Sequence, residues 1–503
     1  MNILTLLEMA ASAEPDRVAA GSAEVGLTYA ELLERSRALG TRLRSLESSY
    51  LAVLDLNSAA LPVLLFGAAA AGIPYAPLNY RLTDEQIQAA LDRLCPVMLA
   101  VGKEQRERVA TAPGVIIRET TDLVTAPGEV EAGADGGPDP DAPAVLLFTS
   151  GTTGPPKAAV LRHRHLASYV ISTVEFFGAT PDEAILVSVP NYHIAGISSI
   201  LTSVYSGRRI VPLPQFTPDG WVDVAVSERI THAMVVPTML DRILDVLEQR
   251  GEKLPALRHL SYGGGRMPVQ VVERALNLLP HVDFVNAYGL TETSSTIAVL
   301  GPEDHRAAVA SEDPAVRARL GSVGRPLPTV ELEIRDEDGR QVPVGTVGEV
   351  YVRGDQVAGE YLSYSGVDPD GWYRTRDRGR LDEAGYLFLE GRADDVIVRG
   401  GENLSPGEIE DVLREHPAVA DAAVVGIPDR EWGERVEAAV VLVDGHTATE
   451  RDLQDWVRAR LRSTRVPARI HWRESLPYTD TGKLLRRRLR EELVAQDREE
   501  TAP

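Results

Sequence analysis

The sequence feature that most limits the fold is an alternation of strand-like and helix-like segments in the first third of the chain. Apolar runs at residues 50–56 and 96–101 predict buried strands, and residues 59–71 and 83–93 predict helices between them. The second of these helices should begin with a capping box, because Thr83 is followed three positions later by Gln86. Strands that alternate with helices predict an α/β fold with a mainly parallel, doubly wound sheet.

The length of 503 residues predicts more than one hydrophobic core. After a boundary near Arg392 the predicted elements become short. They are a helix that begins at Pro406, strands at residues 422–427 and 438–443, and a helix capped by Thr449. This pattern predicts a small α+β unit of about 110 residues behind a larger α/β domain.

Composition narrows the class of protein. With 44% hydrophobic and 25% charged residues, the chain is typical of a soluble globular enzyme. The formal net charge of -22 argues against nucleic acid or an acidic membrane surface as the main partner. Neither a signal peptide nor a stretch long enough to span a bilayer is apparent, so we expect a cytoplasmic enzyme. A single cysteine, Cys95, excludes an intramolecular disulfide, and its apolar surroundings predict a buried structural thiol.

The run FTSGTTGPPK at residues 148–157 carries the strongest chemical signal. A strand that enters a loop of glycines and small hydroxyl residues exposes backbone N–H groups, which together can hold an anion. Lys157 adds a positive charge at the end of this loop. The spacing differs from the G-x-x-x-x-G-K-[ST] pattern of ordinary P-loop NTPases. A flexible surface loop would explain the glycines but not the lysine, so the run predicts a phosphate-binding loop.

This run resembles the signature of the adenylate-forming superfamily, which includes acyl-CoA synthetases, luciferases and nonribosomal adenylation domains. Further motifs of the family follow in the same order over nearly the whole chain: PNYHIAG (190–196), YGGG (262–265), NAYGLTE (286–292), GEVYVRG (348–354), residues 373–392, RGGE (399–402) and PYTDTGK (477–483). The resemblance is to the acyl-CoA synthetase branch. It implies a large N-terminal multi-sheet α/β domain at residues 1–391 and a small, mobile α+β C-terminal domain at residues 392–503.

The resemblance also implies that ATP and Mg²⁺ bind along these motifs. Thr291 would donate to the α-phosphate, and Glu292 would supply the oxygen ligand that a hard cation prefers. Asp377 would accept hydrogen bonds from both ribose hydroxyls, with Arg392 beside it. Arg376 departs from the family, which commonly has glycine there; the change can alter the dihedrals of the loop or add a phosphate contact. The implied nucleotide site consists of Thr149, Ser150, Gly151, Thr152, Thr153, Gly154, Lys157, Gly264, Asn286, Ala287, Tyr288, Gly289, Thr291, Asp377, Leu389 and Arg392.

Two further residues are implied to act on the acid. Lys483 would bridge the substrate carboxylate and the α-phosphate, because two anions must meet in the transition state. His193 would orient the carboxylate or gate the incoming thiol, although a lone histidine is more often a core residue. The acyl pocket is expected beside His193, Pro237, Gly263, Gly265 and Tyr288. Three successive glycines there suggest room for a bulky or ring-containing acyl group.

A second half-reaction needs different surroundings. The resemblance implies that the small domain rotates about a hinge at Asp394, so that a thiol can approach where Lys483 stood. Gly400 and Gly401 would make room for coenzyme A, and Trp432 would pack against it, although a core tryptophan fits the sequence nearly as well. We therefore expect an acyl-CoA synthetase with a small carboxylic acid, ATP and coenzyme A as its partners.

Several alternatives stay open at this point. They are an enzyme that loads a carrier protein, a homologue that performs only one half-reaction such as thiolysis of a supplied acyl-adenylate, a luciferase-like oxygenase and a non-catalytic nucleotide-binding protein. The sequence also leaves open which acid is used and whether the protein is a monomer or a homodimer.

Overall fold

The computed structural model of the protein describes residues 1–46, 48–125, 137–149, 157–400, 402–479 and 484–501. Within these ranges the strands form four sheets, and none of the helices is both long and apolar enough to cross a membrane. The α-helices are Ile3–Ala13, Tyr29–Ser45, Ala60–Ala71, Asp84–Arg93, Thr120–Thr125, His163–Thr173, Ile194–Ser206, Pro218–Ser227, Pro237–Arg250, Val269–Leu278, Pro302–Ala310, Pro314–Arg317, Pro406–Arg414, Glu450–Arg458 and Arg486–Thr501.

The first sheet has a parallel centre and antiparallel edges. In spatial order its strands are Arg325–Pro326, Ser295–Leu300, Asp283–Leu290, His259–Gly263, His232–Val235, Ala184–Val187, Arg209–Pro212, Val18–Ala20 and Leu27–Thr28. The carboxyl ends of parallel strands lie at one edge of a sheet, where ligands of open α/β sheets usually bind. The motifs at residues 190–196, 262–265 and 286–292 all follow or end strands of this sheet.

The second sheet combines parallel strands with an antiparallel edge. In spatial order its strands are Tyr364–Ser365, Glu360–Tyr361, Lys157–Arg162, Pro143–Thr149, Tyr75–Pro77, Tyr50–Leu54, Val97–Val101 and Val115–Glu119. The predicted strands and helices of the first third lie here, and the capping box of Thr83 and Gln86 is present. The predicted α/β class with mainly parallel pairing is therefore confirmed.

One hydrophobic core joins the two large sheets. It contains side chains of both sheets and of the helices Ile3–Ala13, Ala60–Ala71 and Ile194–Ser206. Cys95 lies outside this core and is exposed, so the prediction of a buried thiol is wrong. The apolar run after it becomes buried only from Val97, where the strand begins, and Cys95 belongs to the turn before that strand.

The third sheet is antiparallel and brings together the segments that follow the first two sheets. Its strands in spatial order are Glu331–Arg335, Gly348–Arg353, Tyr373–Leu381 and Leu387–Arg392. The last strand ends at Arg392 and is followed by the 3₁₀ turn Ala393–Asp395.

The fourth sheet lies entirely in the C-terminal part of the chain. Its strands in spatial order are Glu402–Leu404, Ile397–Arg399, Gly433–Leu442 and Val419–Asp429, with Arg469–Trp472 paired to Gly433–Leu442. Helices Pro406–Arg414 and Glu450–Arg458 pack on one side and Arg486–Thr501 on the other, each with its own hydrophobic cluster. The predicted start at Pro406 and the Thr449 cap are confirmed. The fold is thus a large multi-sheet α/β domain followed by a small α+β domain.

Candidate active site

The implied ribose-binding carboxylate lies where the first and third sheets meet. Asp377 and Arg392 are register partners on neighbouring strands of the third sheet, and Arg392 donates to Oδ1 of Asp377 at 3.1 Å. From the first sheet, the hydroxyl of Tyr288 donates to Oδ2 of Asp377 at 2.6 Å. Two donors from different sheets therefore fix the orientation of this carboxylate.

Burial and charge act together at this site. Burial, and next the negative charge of Asp377, raise the pKa of the Tyr288 hydroxyl, which therefore stays protonated and donates. Burial alone would lower the pKa of the Arg392 guanidinium, but the charges of Asp377 and then of Tyr288, Glu292 and Tyr373 together outweigh burial and raise that pKa. The result is a fixed, negatively charged acceptor held by one neutral and one cationic donor.

The residue that departs from the family lies next to Asp377. Arg376 has a φ of 63°, in the left-handed region that favours glycine. Its guanidinium lies 3.6 Å from the carboxylate of Asp394, the implied hinge. The local dihedrals thus remain those of a glycine position, and the side chain contacts the hinge.

The implied metal ligand lies in a strained turn. Glu292 is buried in the 3₁₀ turn Thr291–Thr293, and Thr291 begins that turn. Ser294 and Ser295 follow with φ values of 57° and 116°, a conformation that is rare outside glycine and is often found at functional sites. Within the described residues, the buried hydroxyl of Ser294 has no hydrogen-bond partner.

The carboxylate of Glu292 fits a role as a ligand of Mg²⁺. Its Oε1 accepts a hydrogen bond of 2.6 Å from the hydroxyl of Tyr361. In the described part of the chain, Glu292 has no salt bridge and no group of three or more His, Cys, Asp or Glu residues could hold a metal by itself. A single carboxylate fits an ion that takes its other ligands from phosphates and water, which is how Mg²⁺ usually binds.

The predicted phosphate loop is closed by an antiparallel pair. Thr149 and Lys157 are register partners, and Thr149 donates to the carbonyl of Lys157 at 3.3 Å. The Lys157 ammonium donates to the hydroxyl of Tyr364 at 3.0 Å. The implied loop residues Ser150, Gly151, Thr152, Thr153 and Gly154 lie outside the described residues.

The glycine run of the implied acyl pocket has more than one cause. A Cβ on Gly263 would lie 2.2 Å from the carbonyl oxygen of Ala287, so glycine is required there by the neighbouring strand rather than by a ligand. Gly264 has a φ of 78° and, like Gly265, is exposed. Pro237 is buried at the start of the helix Pro237–Arg250.

His193 occupies the N-cap position of the helix Ile194–Ser206, and its ring lies 4.6 Å from that of Tyr192.

A cavity of about 260 Å³ opens near the carboxyl ends of the strands of the first sheet. It is lined by Asn57, Tyr80, Arg81, Ser188, Pro190, Pro214, Phe216, Thr238, Met239, Arg242, Tyr478 and Thr479. The last two belong to the small domain and immediately precede the segment of Lys483, which itself lies outside the described residues.

The remaining implied nucleotide residues have mainly structural contacts. The side-chain amide of Asn286 donates to the carbonyl of Ser322 at 3.1 Å. A Cβ on Gly289 would lie 1.8 Å from the carbonyl oxygen of Ser295, so glycine allows the strained turn to fold back. Leu389 packs with Tyr288 in the cluster beneath the third sheet.

The implied coenzyme A residues form an exposed group on the small domain. Gly400 donates its backbone N–H to the carbonyl of Trp432 at 2.7 Å, and a Cβ there would lie 3.1 Å from the indole ring. Trp432 is 46% exposed, so the alternative of a core tryptophan is wrong. Gly401 lies outside the described residues.

Sequence reasoning missed the tyrosines around Glu292 and Lys157. Tyr361 and Tyr364 stack with ring centroids 4.7 Å apart, and Gln356 donates to the carbonyl of Thr293 at 3.2 Å. These residues lie more than 60 positions from the turn they contact. Only pairing of the strands Glu360–Tyr361 and Lys157–Arg162 brings them there.

Comparisons with known proteins give the class to which this fold and site belong. Residues 7–362 match the AMP-binding enzyme family, and residues 408–483 match the C-terminal domain of AMP-binding enzymes. The chain therefore belongs to the AMP-binding, adenylate-forming family. Within that family it belongs to the branch of AMP-forming acid–thiol ligases.

Two relatives illustrate this branch. The chain is 33% identical to a fatty acid–[acyl-carrier-protein] ligase, ScoC, of Streptomyces coeruleorubidus, over 92% of this chain and 91% of the relative. It is 30% identical to an indoleacetate–CoA ligase of Aromatoleum aromaticum, over 99% of each chain.

Two solved structures have the same fold. ATP-bound MatB from Rhodopseudomonas palustris has a TM-score of 0.86 and 27% identity, covering 98% of this chain and 99% of that one. O-succinylbenzoate coenzyme A synthetase (MenE) from Bacillus subtilis, in complex with ATP and a magnesium ion, has a TM-score of 0.82 and 28% identity, covering 96% and 98%.

Proposed function

We propose that the protein is an acyl-CoA synthetase, which activates a carboxylic acid with ATP to an acyl-adenylate and transfers the acyl group to coenzyme A. The observation that carries this proposal is that Tyr288 and Arg392 both donate to the carboxylate of Asp377. Tyr288 lies on the strand Asp283–Leu290, which leads directly to Glu292. This arrangement suits a nucleoside with a metal-bound phosphate chain.

The residues divide the first half-reaction between them. Asp377 accepts the ribose hydroxyls, which fixes the nucleoside against Tyr288. Glu292 would hold Mg²⁺, an ion that would supply positive charge against the negative charge of the leaving pyrophosphate. Thr291 and Lys157 hold phosphate oxygens. Lys483 would complete the site. Its positive charge would offset the negative charges of the substrate carboxylate and the α-phosphate where they come together.

The second half-reaction, transfer of the acyl group, requires that coenzyme A approaches where Lys483 stood. We propose that the chain divides into residues 1–391 and 392–503, with the hinge at Asp394. Rotation there would remove Lys483 and bring Gly400, Gly401 and Trp432 to the site. The exposure of Trp432, which no core packing explains, supports coenzyme A as the acceptor.

The experiment is a panel of aliphatic, aromatic, indole and dicarboxylic acids, each with ATP, Mg²⁺ and either no acceptor, coenzyme A or a phosphopantetheine-loaded carrier protein. AMP and acyl thioester are measured by chromatography. We expect acid-dependent AMP and an acyl-CoA product. An absence of AMP with every acid would overturn the proposal.

A variant links the acceptor to its site. Trp432→Ala should raise the KM for coenzyme A roughly tenfold, as expected from the loss of a stacking contact of 1–3 kcal/mol, with acyl-adenylate formation unchanged. Trp472→Ala is the matched control, because Trp472 is a similarly exposed tryptophan (44%) of the small domain. An equal effect of both variants would contradict the assignment.

A carrier protein is the second candidate acceptor, and it is supported by the 33% identity to the acyl-carrier-protein ligase. In the same assay this reading requires loading of the carrier with little acyl-CoA formed. A homologue limited to one half-reaction would instead thiolyse a supplied acyl-adenylate without forming AMP from ATP.

A further inference from the structure

A short hairpin at the edge of the second sheet contacts two charged residues of the implied nucleotide site, Glu292 and Lys157. Its strands are Glu360–Tyr361 and Tyr364–Ser365, and Tyr361 pairs with Ala159 beside the phosphate loop. Arg162 clamps Glu360 with two hydrogen bonds of 2.8 and 2.7 Å. Such a bidentate pair fixes orientation as well as distance, so the hairpin is held firmly on the sheet.

The first tyrosine of the hairpin is bonded to the implied metal ligand. The Tyr361 hydroxyl donates to Oε1 of Glu292 at 2.6 Å, while the backbone N–H groups of Ala358 and Gly359 donate to the Glu292 carbonyl at 2.9 and 2.8 Å. A tyrosine hydroxyl is protonated at neutral pH, so Tyr361 is the donor and the carboxylate of Glu292 is the acceptor.

This bond leaves one oxygen of Glu292 for a ligand. With Oε1 engaged and the backbone of Glu292 fixed, rotation of the carboxylate is restricted. No hydrogen bond to Oε2 is found among the described residues.

The second tyrosine holds the cation of the phosphate loop. The Lys157 ammonium lies 5.1 Å from the ring centroid of Tyr364 and 5.7 Å from that of Tyr361. It also donates to the Tyr364 hydroxyl at 3.0 Å. The two stacked tyrosines therefore contact both Lys157, at the start of a strand of the second sheet, and Glu292, in the turn after a strand of the first sheet.

We infer that Tyr361 is a positioning residue of the nucleotide–metal site: its hydroxyl orients Glu292 so that Oε2 faces the divalent cation, and Tyr364 holds Lys157 beside it. This inference rests on the proposed function, since it assumes that Glu292 binds Mg²⁺ together with ATP. Neither tyrosine is proposed to take part in bond making.

The test uses Mn²⁺ as a paramagnetic stand-in for Mg²⁺, with a non-hydrolysable ATP analogue and the full-length protein. The concentration of free Mn²⁺ is measured by electron paramagnetic resonance. Tyr361→Phe removes only the hydroxyl and should weaken Mn²⁺ binding about tenfold, in line with the loss of a hydrogen bond to a charged group. Tyr386→Phe is the matched control, because Tyr386 also donates to a carboxylate at 2.6 Å, that of Asp304, and it should bind Mn²⁺ as the wild type does.

A second variant separates the two tyrosines. Tyr364→Phe should weaken binding of the analogue in metal-free buffer severalfold through Lys157, while Mn²⁺ affinity in the analogue complex changes less than twofold. Thermal melting shows whether each variant is folded, so that unfolding is not mistaken for weaker metal binding.

The outcomes distinguish the inference from the function on which it rests. If wild type binds Mn²⁺ with the analogue and Tyr361→Phe binds it equally well, the inference is overturned and the proposed function stands. If wild type itself fails to bind the pair, both are overturned. An effect of Tyr386→Phe as large as that of Tyr361→Phe would also overturn the inference.

Discussion

At the scale of single residues, unusual backbone conformations mark the site. Ser294, Ser295 and Arg376 have positive φ values, and all three lie beside the implied ligands Glu292 and Asp377. An L-residue in this region costs roughly 1–2 kcal/mol relative to a helical or strand conformation. The chain carries this cost next to the implied ligand residues, and strained backbone of this kind is often found at functional sites.

Replacement of Arg376 by glycine should therefore be tolerated unusually well. Arg376→Gly removes left-handed strain, which stabilises the fold. It also removes an exposed ion pair with Asp394 and adds the conformational entropy of glycine to the unfolded chain, which both destabilise the fold. The free energy of unfolding should therefore change by less than about 0.5 kcal/mol. Arg378→Gly, on the same strand with no positive φ, should cost about 1 kcal/mol. Thermal midpoints check this, and a loss for Arg376→Gly as large as for Arg378→Gly would contradict it.

At the scale of elements, the helix His163–Thr173 begins with two buried histidines. Nδ1 of His165 accepts from the backbone N–H of Arg162 at 3.4 Å, and Nδ1 of His163 accepts from Ile3 at 3.5 Å. Both rings serve as neutral acceptors between the strand Lys157–Arg162 and the core. Burial lowers the pKa of each to about 4.

Stability should therefore fall between about pH 6.5 and pH 4. Over this range the unfolded chain binds protons at these histidines and the folded chain does not, so acid favours unfolding, by about 3 kcal/mol for each ring. His163→Gln keeps an acceptor but cannot be protonated, so its thermal midpoint should depend less on pH. His446→Gln, at an exposed position, should retain the wild-type dependence. Equal slopes for all three proteins would show that His163 is not the cause.

At the scale of the whole molecule, few described side-chain hydrogen bonds and ion pairs join the residues after Ala393 to the large domain. Arg266 bonds to Asp411, the Ser405 hydroxyl donates to the carbonyl of Glu390, and Arg376 lies near Asp394. The first and third are exposed ion pairs, which contribute little to stability. An interface of this kind is compatible with rotation of the small domain.

Rotation about the implied hinge can be tested with proline, whose ring fixes φ. Asp394→Pro should leave acid-dependent formation of the acyl-adenylate within about threefold of wild type and lower transfer to coenzyme A at least tenfold. Rapid-quench measurement of each half-reaction checks this. Asp394→Ala, which removes the carboxylate but not the freedom of the backbone, should retain both, and equal losses in the two half-reactions would contradict a hinge at this position.

Some features of the fold could be predicted from the sequence, and others could not. The cap at Thr83, the helix start at Pro406 and the alternation of residues 50–101 depend on neighbours within a few positions, so the sequence predicted them correctly. Cys95 was predicted to be buried but is exposed, because an apolar run does not reveal where a strand begins. Glycine at 263 suggested open space, whereas its cause is the carbonyl of Ala287 on another strand.

The sequence by itself determined the class of the protein and the residues to examine, because ordered motifs such as TSGTTGPPK and NAYGLTE are local patterns. Only the tertiary structure decided that Tyr288 bonds to Asp377, that Tyr361 bonds to Glu292 and that Tyr364 holds Lys157. These pairs are separated by between 69 and 207 positions. Contacts between sheets depend on how strands pair and twist in the folded chain, and no spacing along the sequence encodes them.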